Sequence, residues 1–199
     1  MDFWQARQQL LTEPFALSVP ARVVEDDFAS RRAAVLLAVM NIDGQADLLL
    51  TQRAAHLTLH PSEIAFPGGK PEPEDGDDVA TALREAYEEV ALPPAAVTYL
   101  GQLNRRVTRS GFSLSPCVAL VENSVNLKAN ANEVAAIFTL PLAQLSEASN
   151  WQFTQQIYAG RQQLSPQFSC QDYRVQGVTA RLIADLMTGF FNVALPDYG

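Results

Sequence analysis

The sequence predicts an α/β fold, a sandwich in which a mixed sheet lies between helices. Apolar runs rich in strand-forming residues at 33–40 and 113–121 are typical of buried strands. Residues 78–90 and 177–187 instead repeat apolar side chains at helical spacing. A chain of 199 residues, 48% of them hydrophobic, is long enough to bury one ordinary core, so we expect a single domain over residues 1–199.

The first elements in chain order are a helix and a hairpin. Residues 2–11 have helical spacing, and Pro14 lies just beyond this segment, where a helix ends. Residues 33–40 and 47–53 predict two strands, and the segment 41–44, Asn-Ile-Asp-Gly, is a turn sequence between them.

The later elements alternate between helix and strand signals. The helix over 78–90 follows a glycine turn and is closed by Pro93 and Pro94. The segment 146–173 is rich in Gln and aromatic residues without a clear period, so it receives no assignment. The remaining predicted elements are strands at 97–107, 113–121 and 134–140 and a last helix at 177–187.

Composition excludes several classes of function. The formal net charge of −8 argues against nonspecific nucleic-acid binding, which needs a face rich in Lys and Arg. The longest apolar run, 33–40, is too short to span a bilayer, and residues 1–5 lack the basic start of a secretory signal. Because only two cysteines are present and no secretory signal is recognised, we expect Cys117 and Cys170 to be reduced, buried thiols. The expected setting is the cytoplasm, without a membrane or nucleic-acid partner.

Three carboxylates in the helix over 78–90 predict a metal site. Glu85, Glu88 and Glu89 fall within about 100° of one another around a helix, where like charges repel. A run of this kind is usually a solvated helix face. Here, however, the glycine turn 66–70, Phe-Pro-Gly-Gly-Lys, precedes it. Glycines allow a close approach of the backbone to a ligand, and Mg²⁺ or Mn²⁺ prefers carboxylate oxygens, so the pattern indicates metal-dependent phosphate chemistry.

This order of residues resembles the Nudix box, the signature of hydrolases that cleave a nucleoside diphosphate linked to another group. Nine residues, rather than the family's seven, separate Glu74 from Arg84, and Ala91 occupies a position where the family usually has glycine. The resemblance implies a Nudix-type α/β/α sandwich, with 1–30 as an N-terminal extension and 146–199 as a C-terminal one that ends in a helix. The matching residues are Gly68, Glu74, Arg84, Glu85, Ala86, Glu88, Glu89 and Leu92.

A second motif lies upstream of the box and resembles that of the coenzyme A diphosphatase branch of the Nudix hydrolases. Ala54, Thr58 and Ser62 depart from it, where the branch has serine, arginine and glycine. The loss of the cation at Thr58 matters most for a substrate with several phosphates. The residues that fit are Leu49 or Leu50, Thr51, Arg53, Leu57, His60, Ile64, Phe66, Pro67, Gly68 and Gly69.

The resemblance also implies roles for individual residues. Glu85, Glu88 and Glu89 are the expected ligands of Mg²⁺ or Mn²⁺, with Glu85 and Arg84 counted among the catalytic residues. Arg84 lies four positions before Glu88, so we expect it to brace the carboxylates within the helix. Glu133 is a candidate for a further ligand or for the general base; the alternative is an exposed Glu that precedes a strand.

Candidate substrate-binding residues lie around these carboxylates. Arg53 ends a strand and either meets a phosphate or forms a surface ion pair. His60 either contacts the substrate or satisfies the turn before Pro61. Arginine forks bind phosphate through two hydrogen bonds, which favours a dense basic cluster for the adenosine-phosphate end; a solvated loop is the alternative. The candidates are Arg53, His60, Gly68, Gly69, Arg105, Arg106 and Arg109.

The expected function is metal-dependent hydrolysis of a diphosphate linkage in coenzyme A or an acyl derivative, giving 3′,5′-ADP and a phosphopantetheine. One alternative is the same chemistry on ADP-ribose, a dinucleotide or a nucleoside triphosphate, which the departures at Thr58 and Ser62 favour. The other is a catalytically silent ligand-binding protein on the same fold. The expected partner is therefore a small nucleoside diphosphate derivative, and the sequence leaves a homodimer open.

Overall fold

A computed structural model describes residues 1–12, 31–108, 110–158, 161–170 and 173–198. Single-turn 3₁₀ segments at Pro94–Ala96 and Ala148–Asn150 accompany the regular elements. In chain order these are α1 (Phe3–Thr12), β1 (Arg31–Ile42), β2 (Gln45–Arg53), β3 (Ile64–Ala65), β4 (Gly68–Gly69), α2 (Asp78–Val90), β5 (Thr98–Gln102), β6 (Arg106–Val107), β7 (Phe112–Val121), β8 (Val134–Pro141), α3 (Leu142–Leu145), β9 (Trp151–Tyr158), β10 (Arg161–Cys170), β11 (Tyr173–Val175) and α4 (Gly177–Phe190).

Strands β1 to β8 form one mixed sheet within the described part of the chain. The order is β3-β2-β1-β7-β5, with β4 paired to β1, β6 to β7 and β8 to β2. Strand β1 runs parallel to β7 and antiparallel to β2. Asp43 and Gly44, with φ of 51° and 84°, form the two-residue turn between β1 and β2, because hairpin turns of this length favour positive φ. The predicted hairpin is confirmed.

Helices cover both faces of this sheet. Alternate residues of β1 point to opposite faces, so Leu37 packs in a cluster with Phe3 of α1 and Leu186 of α4. Leu36 packs in a second cluster with Ala86 of α2. Because both faces of β1 are buried, its sequence is a continuous apolar run and not an alternating one. The predicted α/β sandwich with a mixed sheet is confirmed.

The segment that received no assignment contains a small antiparallel sheet. Strands β9, β10 and β11 form it in the order β11-β10-β9. The rings of Phe138 on β8 and Tyr173 on β11 stack with centroids 4.0 Å apart, which joins this sheet to the larger one. The segment 97–107, expected as one strand, consists of β5 and β6 with an interruption between them.

Two further expectations concern thiols and membrane spans. Cys117 and Cys170 are buried free cysteines, as predicted. Among the helices of the described residues, none has both the length and the apolar character needed to cross a bilayer.

Candidate active site

Helix α2 positions the carboxylates, and both of its ends are fixed by local hydrogen bonds. At the start, the Asp77 carboxylate accepts the Ala80 N–H at 2.8 Å, which is an N-cap. At the end, Ala91 is left-handed, with φ 56° and ψ 32°, and the Leu92 N–H donates to the Ala86 carbonyl at 3.3 Å. The Ala91 N–H also donates to the Tyr87 carbonyl at 2.9 Å, which is the bond of an αL C-cap, and glycine is usual at the position of Ala91 in such a cap.

Three carboxylates converge at the site. Glu85 and Glu89 of α2 and Glu133, which precedes β8, each offer a carboxylate oxygen, and these oxygens lie within 4.8 Å of one another. Glu133 is held by the backbone, since its carbonyl accepts the Ala54 N–H at 2.8 Å directly after β2. We call Glu85, Glu89 and Glu133 the carboxylate trio. The trio therefore joins one helix to the loop before a neighbouring strand.

The trio is electrostatically strained without a cation. Only 3% of Glu89 is exposed, and this burial raises the pKa of its carboxyl to about 8. A hydrogen bond from the Gly68 N–H at 3.3 Å lowers that pKa, whereas Glu85 and Glu133 raise it by repulsion. Burial is also the main reason that the pKa of Glu85 is raised. Buried carboxylates that crowd one another favour a proton or a metal ion between them.

The glycine turn fits tightly between α2 and β1. A Cβ at Gly69 would lie 2.2 Å from the Oε1 atom of Glu85, and a Cβ at Gly68 would lie 2.3 Å from the Ala34 carbonyl oxygen. Any side chain at these two positions would therefore displace backbone or a site carboxylate. The close approach seen here is made to the trio's own helix and to β1, and the expected close approach to a ligand stays a prediction.

Arg84 lies at the centre of a hydrogen-bond network beside the trio. Its guanidinium donates to both carboxylate oxygens of Asp75, from Nε at 3.1 Å and Nη2 at 3.0 Å, and from Nη2 to the Lys70 carbonyl at 2.9 Å. The guanidinium beside it lowers the pKa of Asp75 to about 2. The sequence alone did not identify Asp75. The one indication in the sequence was the loop between the glycine turn and α2, which is two residues longer than in the family motif and so can bring a different acid than Glu74 to Arg84.

Glu88 and His60 lie outside the trio. The exposed Glu88 carboxylate accepts from Nη1 of Arg84 at 3.0 Å, so it faces the network of Arg84. His60 is exposed, and its Nδ1 lies 2.8 Å from a carboxylate oxygen of Glu63 in the same loop. A metal-ligand role for Glu88 and a substrate role for His60 stay predictions.

Arg53 is a second cation at the trio, where Nη2 of Arg84 already lies 3.2 Å from Oε1 of Glu85. Nη1 of Arg53 lies 4.0 Å from Oε1 of Glu89, which gives a weak ion pair. Its Nε is buried and has no hydrogen-bond partner among the described residues. Buried polar groups usually have a partner, so an arginine in this state is suited to an anion that enters the site.

Two arginines of the expected basic cluster, Arg105 and Arg106, form ion pairs with carboxylates of the protein itself. Arg105 donates from Nη2 to Asp78 at 2.9 Å. Arg106 forms a two-pronged bond with Asp185 of α4, at 2.9 and 2.6 Å, which ties β6 to the last helix. Arg109 lies outside the described residues. Contact of this cluster with a substrate stays a prediction, and it would require these ion pairs to open.

Comparison with known proteins agrees with this geometry. The family model of the NUDIX domain matches residues 30–160. NudL of Yersinia enterocolitica, described as an uncharacterized Nudix hydrolase, is 43% identical over 122 residues, which cover 61% of this chain and 62% of that protein. NudL of Salmonella heidelberg, with the same description, is 34% identical over 186 residues, 94% of this chain and 92% of that protein. A crystal structure of a MutT/nudix family protein from Enterococcus faecalis superposes with a TM-score of 0.53 at 14% identity, covering 81% of this chain and 62% of that one.

A mixed sheet between helices, with helix carboxylates packed against a glycine turn, together with the family match, identifies a Nudix hydrolase of diphosphate linkages. The chain belongs to the Nudix hydrolase family, because the family model matches well over half of its length. The Salmonella protein supports the same membership over nearly the whole chain.

Proposed function

We propose that this protein hydrolyses the diphosphate linkage of coenzyme A or acyl-coenzyme A with Mg²⁺ or Mn²⁺ as cofactor. Water supplies the oxygen that replaces the bridging one, and the products are 3′,5′-ADP and a phosphopantetheine. The observation that carries the hydrolase proposal is the carboxylate trio beside Arg53, which places oxygen ligands for a cation next to a cation for phosphate.

The trio fits a hard divalent cation. Its three carboxylate oxygens within 4.8 Å are the donor type that Mg²⁺ and Mn²⁺ prefer, and burial leaves the Glu89 carboxyl with a pKa of about 8 until a cation compensates its charge. Glu85, Glu89 and Glu133 would hold the ion, with Glu88 as a further ligand after its side chain leaves Arg84. A bound cation supplies positive charge that neutralises the diphosphate while the P–O bond breaks.

The other residues of the site have positioning roles. The guanidinium of Arg53, whose side chain is 27% exposed, would donate to a diphosphate oxygen, which fixes the substrate beside the trio. Arg84 joins α2 to the loop 71–77 through Asp75 and to the glycine turn through the Lys70 carbonyl, so it holds these segments in place. Glu133 would serve either as a ligand or as the base that takes a proton from the attacking water.

The backbone of the loop before the glycine turn supports coenzyme A as the substrate. Ser62 occupies the glycine position of the coenzyme A motif, and its φ is 60°, a left-handed conformation that costs serine energy and glycine little. The loop thus has the backbone shape that the motif's glycine favours, although the residue differs. This shape supports the coenzyme A branch despite the change at Thr58.

Product analysis would test the proposal. With Mg²⁺ or Mn²⁺, we expect the highest kcat/KM for coenzyme A or an acyl derivative among coenzyme A, ADP-ribose, NADH and nucleoside triphosphates. Higher kcat/KM on one of the other substrates would move the assignment to that class. No turnover on the whole panel, with the fold intact by circular dichroism, would support a catalytically silent ligand-binding protein instead.

A further inference from the structure

Two cations share one aromatic ring next to the glycine turn. The guanidinium carbon of Arg31 lies 4.9 Å from the ring centroid of Phe112, and the Lys70 ammonium lies 5.6 Å from the same centroid. Both distances are within the range of a cation–π interaction. The Arg31 guanidinium is oriented by a second contact, a hydrogen bond to the Ser110 carbonyl at 3.0 Å. We call Arg31, Lys70 and Phe112 the cationic patch.

Strand pairing places this patch at one end of the sheet, beside the trio's helix. Arg31 of β1 lies opposite Phe112 of β7, and three residues further Ala34 lies opposite Gly69 of β4. Lys70 directly follows Gly69, the glycine with no room for a Cβ against Glu85. The Lys70 carbonyl also accepts a hydrogen bond from Arg84. The patch residue Lys70 is therefore the sequence neighbour of a glycine that packs directly against the carboxylate site.

The patch has excess positive charge in an acidic protein. The chain has 22 acidic and 14 basic side chains, yet in the described ranges no carboxylate lies within ion-pair distance of Arg31 or Lys70. Arg105 and Arg106, by contrast, are each paired with an Asp. Both patch cations are exposed, and their mutual repulsion would be relieved by an anion bound between them.

We propose that the cationic patch binds a phosphate monoester of the substrate that is distinct from the diphosphate under attack. This inference rests on the proposed function, under which the group is the 3′-phosphate on the ribose of coenzyme A. The ammonium and the guanidinium donate to the phosphate oxygens, and the Phe112 ring keeps the two cations at one place. The patch thus takes over the role that the sequence suggested for Arg105, Arg106 and Arg109.

Kinetics on a matched pair of substrates would test the patch. Arg31→Ala, Lys70→Ala and the double variant are compared with the parent on coenzyme A and on dephospho-coenzyme A, which lacks only the 3′-phosphate. We expect the double variant to raise KM for coenzyme A roughly tenfold or more, with kcat and the KM for dephospho-coenzyme A nearly unchanged. Lys128→Ala is the control, because it removes one exposed lysine at the other end of α2, where the Lys128 N–H donates to Val90. It should leave both KM values unchanged.

A binding measurement separates this inference from the proposed function. By calorimetry, the parent should bind 3′,5′-ADP more tightly than AMP, and the double variant should lose that preference. If coenzyme A is hydrolysed but the double variant changes both KM values equally, or Lys128→Ala has the same effect, the patch is overturned and the proposed function stands. If coenzyme A is not hydrolysed, the proposed function fails; the patch is then upheld by a preference for 3′,5′-ADP that the double variant loses, and overturned by its absence.

Discussion

Glu89 shows how burial and charge act on a single residue of the site. Its pKa is raised from 4.5 to about 8, so between these values the folded, metal-free protein holds a proton that the unfolded chain releases. Stability therefore falls as the pH rises through this window, because the charged carboxylate is disfavoured in the folded state. The residue is kept at a cost to folding, which is typical of side chains that serve a site.

Glu89→Gln should separate activity from stability. We expect kcat to fall at least about a hundredfold, because the substitution removes a charged oxygen ligand. The metal-free variant should nevertheless melt several degrees higher than the parent about one pH unit above the Glu89 pKa, and the difference should shrink toward pH 5. Steady-state kinetics and thermal melts in a chelator would measure the two effects. Exposed Glu147→Gln is the control, and activity of Glu89→Gln within fivefold of the parent would contradict the metal assignment.

Glu88 poses a separate question, because its carboxylate faces Arg84 and not the trio. If Glu88 joins the metal when the cation binds, Glu88→Gln should raise the Mg²⁺ concentration for half-maximal activity by at least about tenfold and lower kcat at least about a hundredfold. A metal titration of activity would measure both. If Glu88 only pairs with Arg84, the metal dependence would stay that of the parent.

Some residues of the site could be predicted from the sequence and others could not. Glu85 and Glu89 could be placed on one face because helical spacing fixes their relative angle. Glu133 lies 44 positions after Glu89, so only the family resemblance suggested it. The two extra residues after Glu74 put the role of Glu74 in doubt, but they could not select Asp75, because a loop imposes no period on which side chain reaches Arg84.

At the scale of elements, this chain has non-glycine residues in left-handed backbone at positions where the motifs that it resembles have glycine. Ala91 ends α2 with φ 56°. Ala91→Gly should stabilise the protein by about 1 kcal/mol, since a left-handed L-residue costs about 1–2 kcal/mol and glycine returns part of this as unfolded-state entropy. Ala80→Gly is the matched control within the same helix, and it should destabilise by about 0.5–1 kcal/mol. Urea melts would measure both; destabilisation by Ala91→Gly would contradict the strain.

The elements that could be predicted are those whose burial follows the backbone period. The predicted helix over 78–90 agrees with α2, and 33–40 lies inside β1, because each buries a regular stripe or both of its faces. Strands β9 and β10 lack such a pattern. Ile157 is 72% exposed, whereas Gln167 is only 7% exposed and bonds to Gln152 and Arg174. In these strands the buried side chains are therefore not consistently apolar, so the sequence shows no alternating hydrophobic pattern from which the strands could be predicted.

At the scale of the whole molecule, the charge distribution depends on contacts between distant segments. Arg106 and its partner Asp185 are 79 positions apart, so a local count of basic residues could not show that this arginine is neutralised. Under the proposed function, a chain of net charge −8 would attract its anionic substrate through a bound metal and through those cations of the described residues that no carboxylate neutralises. The trio and the cationic patch are thus complementary parts of one electrostatic arrangement.

Metal binding should therefore be visible in the stability of the whole protein. Millimolar Mg²⁺ or Mn²⁺ should raise Tm, because a ligand at a hundred times its Kd stabilises the folded state by about 2.7 kcal/mol. The increase should be larger about one pH unit above the Glu89 pKa than one unit below it, since the cation must displace the Glu89 proton at the lower pH. Thermal melts at both pH values, with NaCl of equal ionic strength as the control, would measure this. A metal effect that is the same at both pH values, or equal in Glu89→Gln and the parent, would place the cation away from the trio.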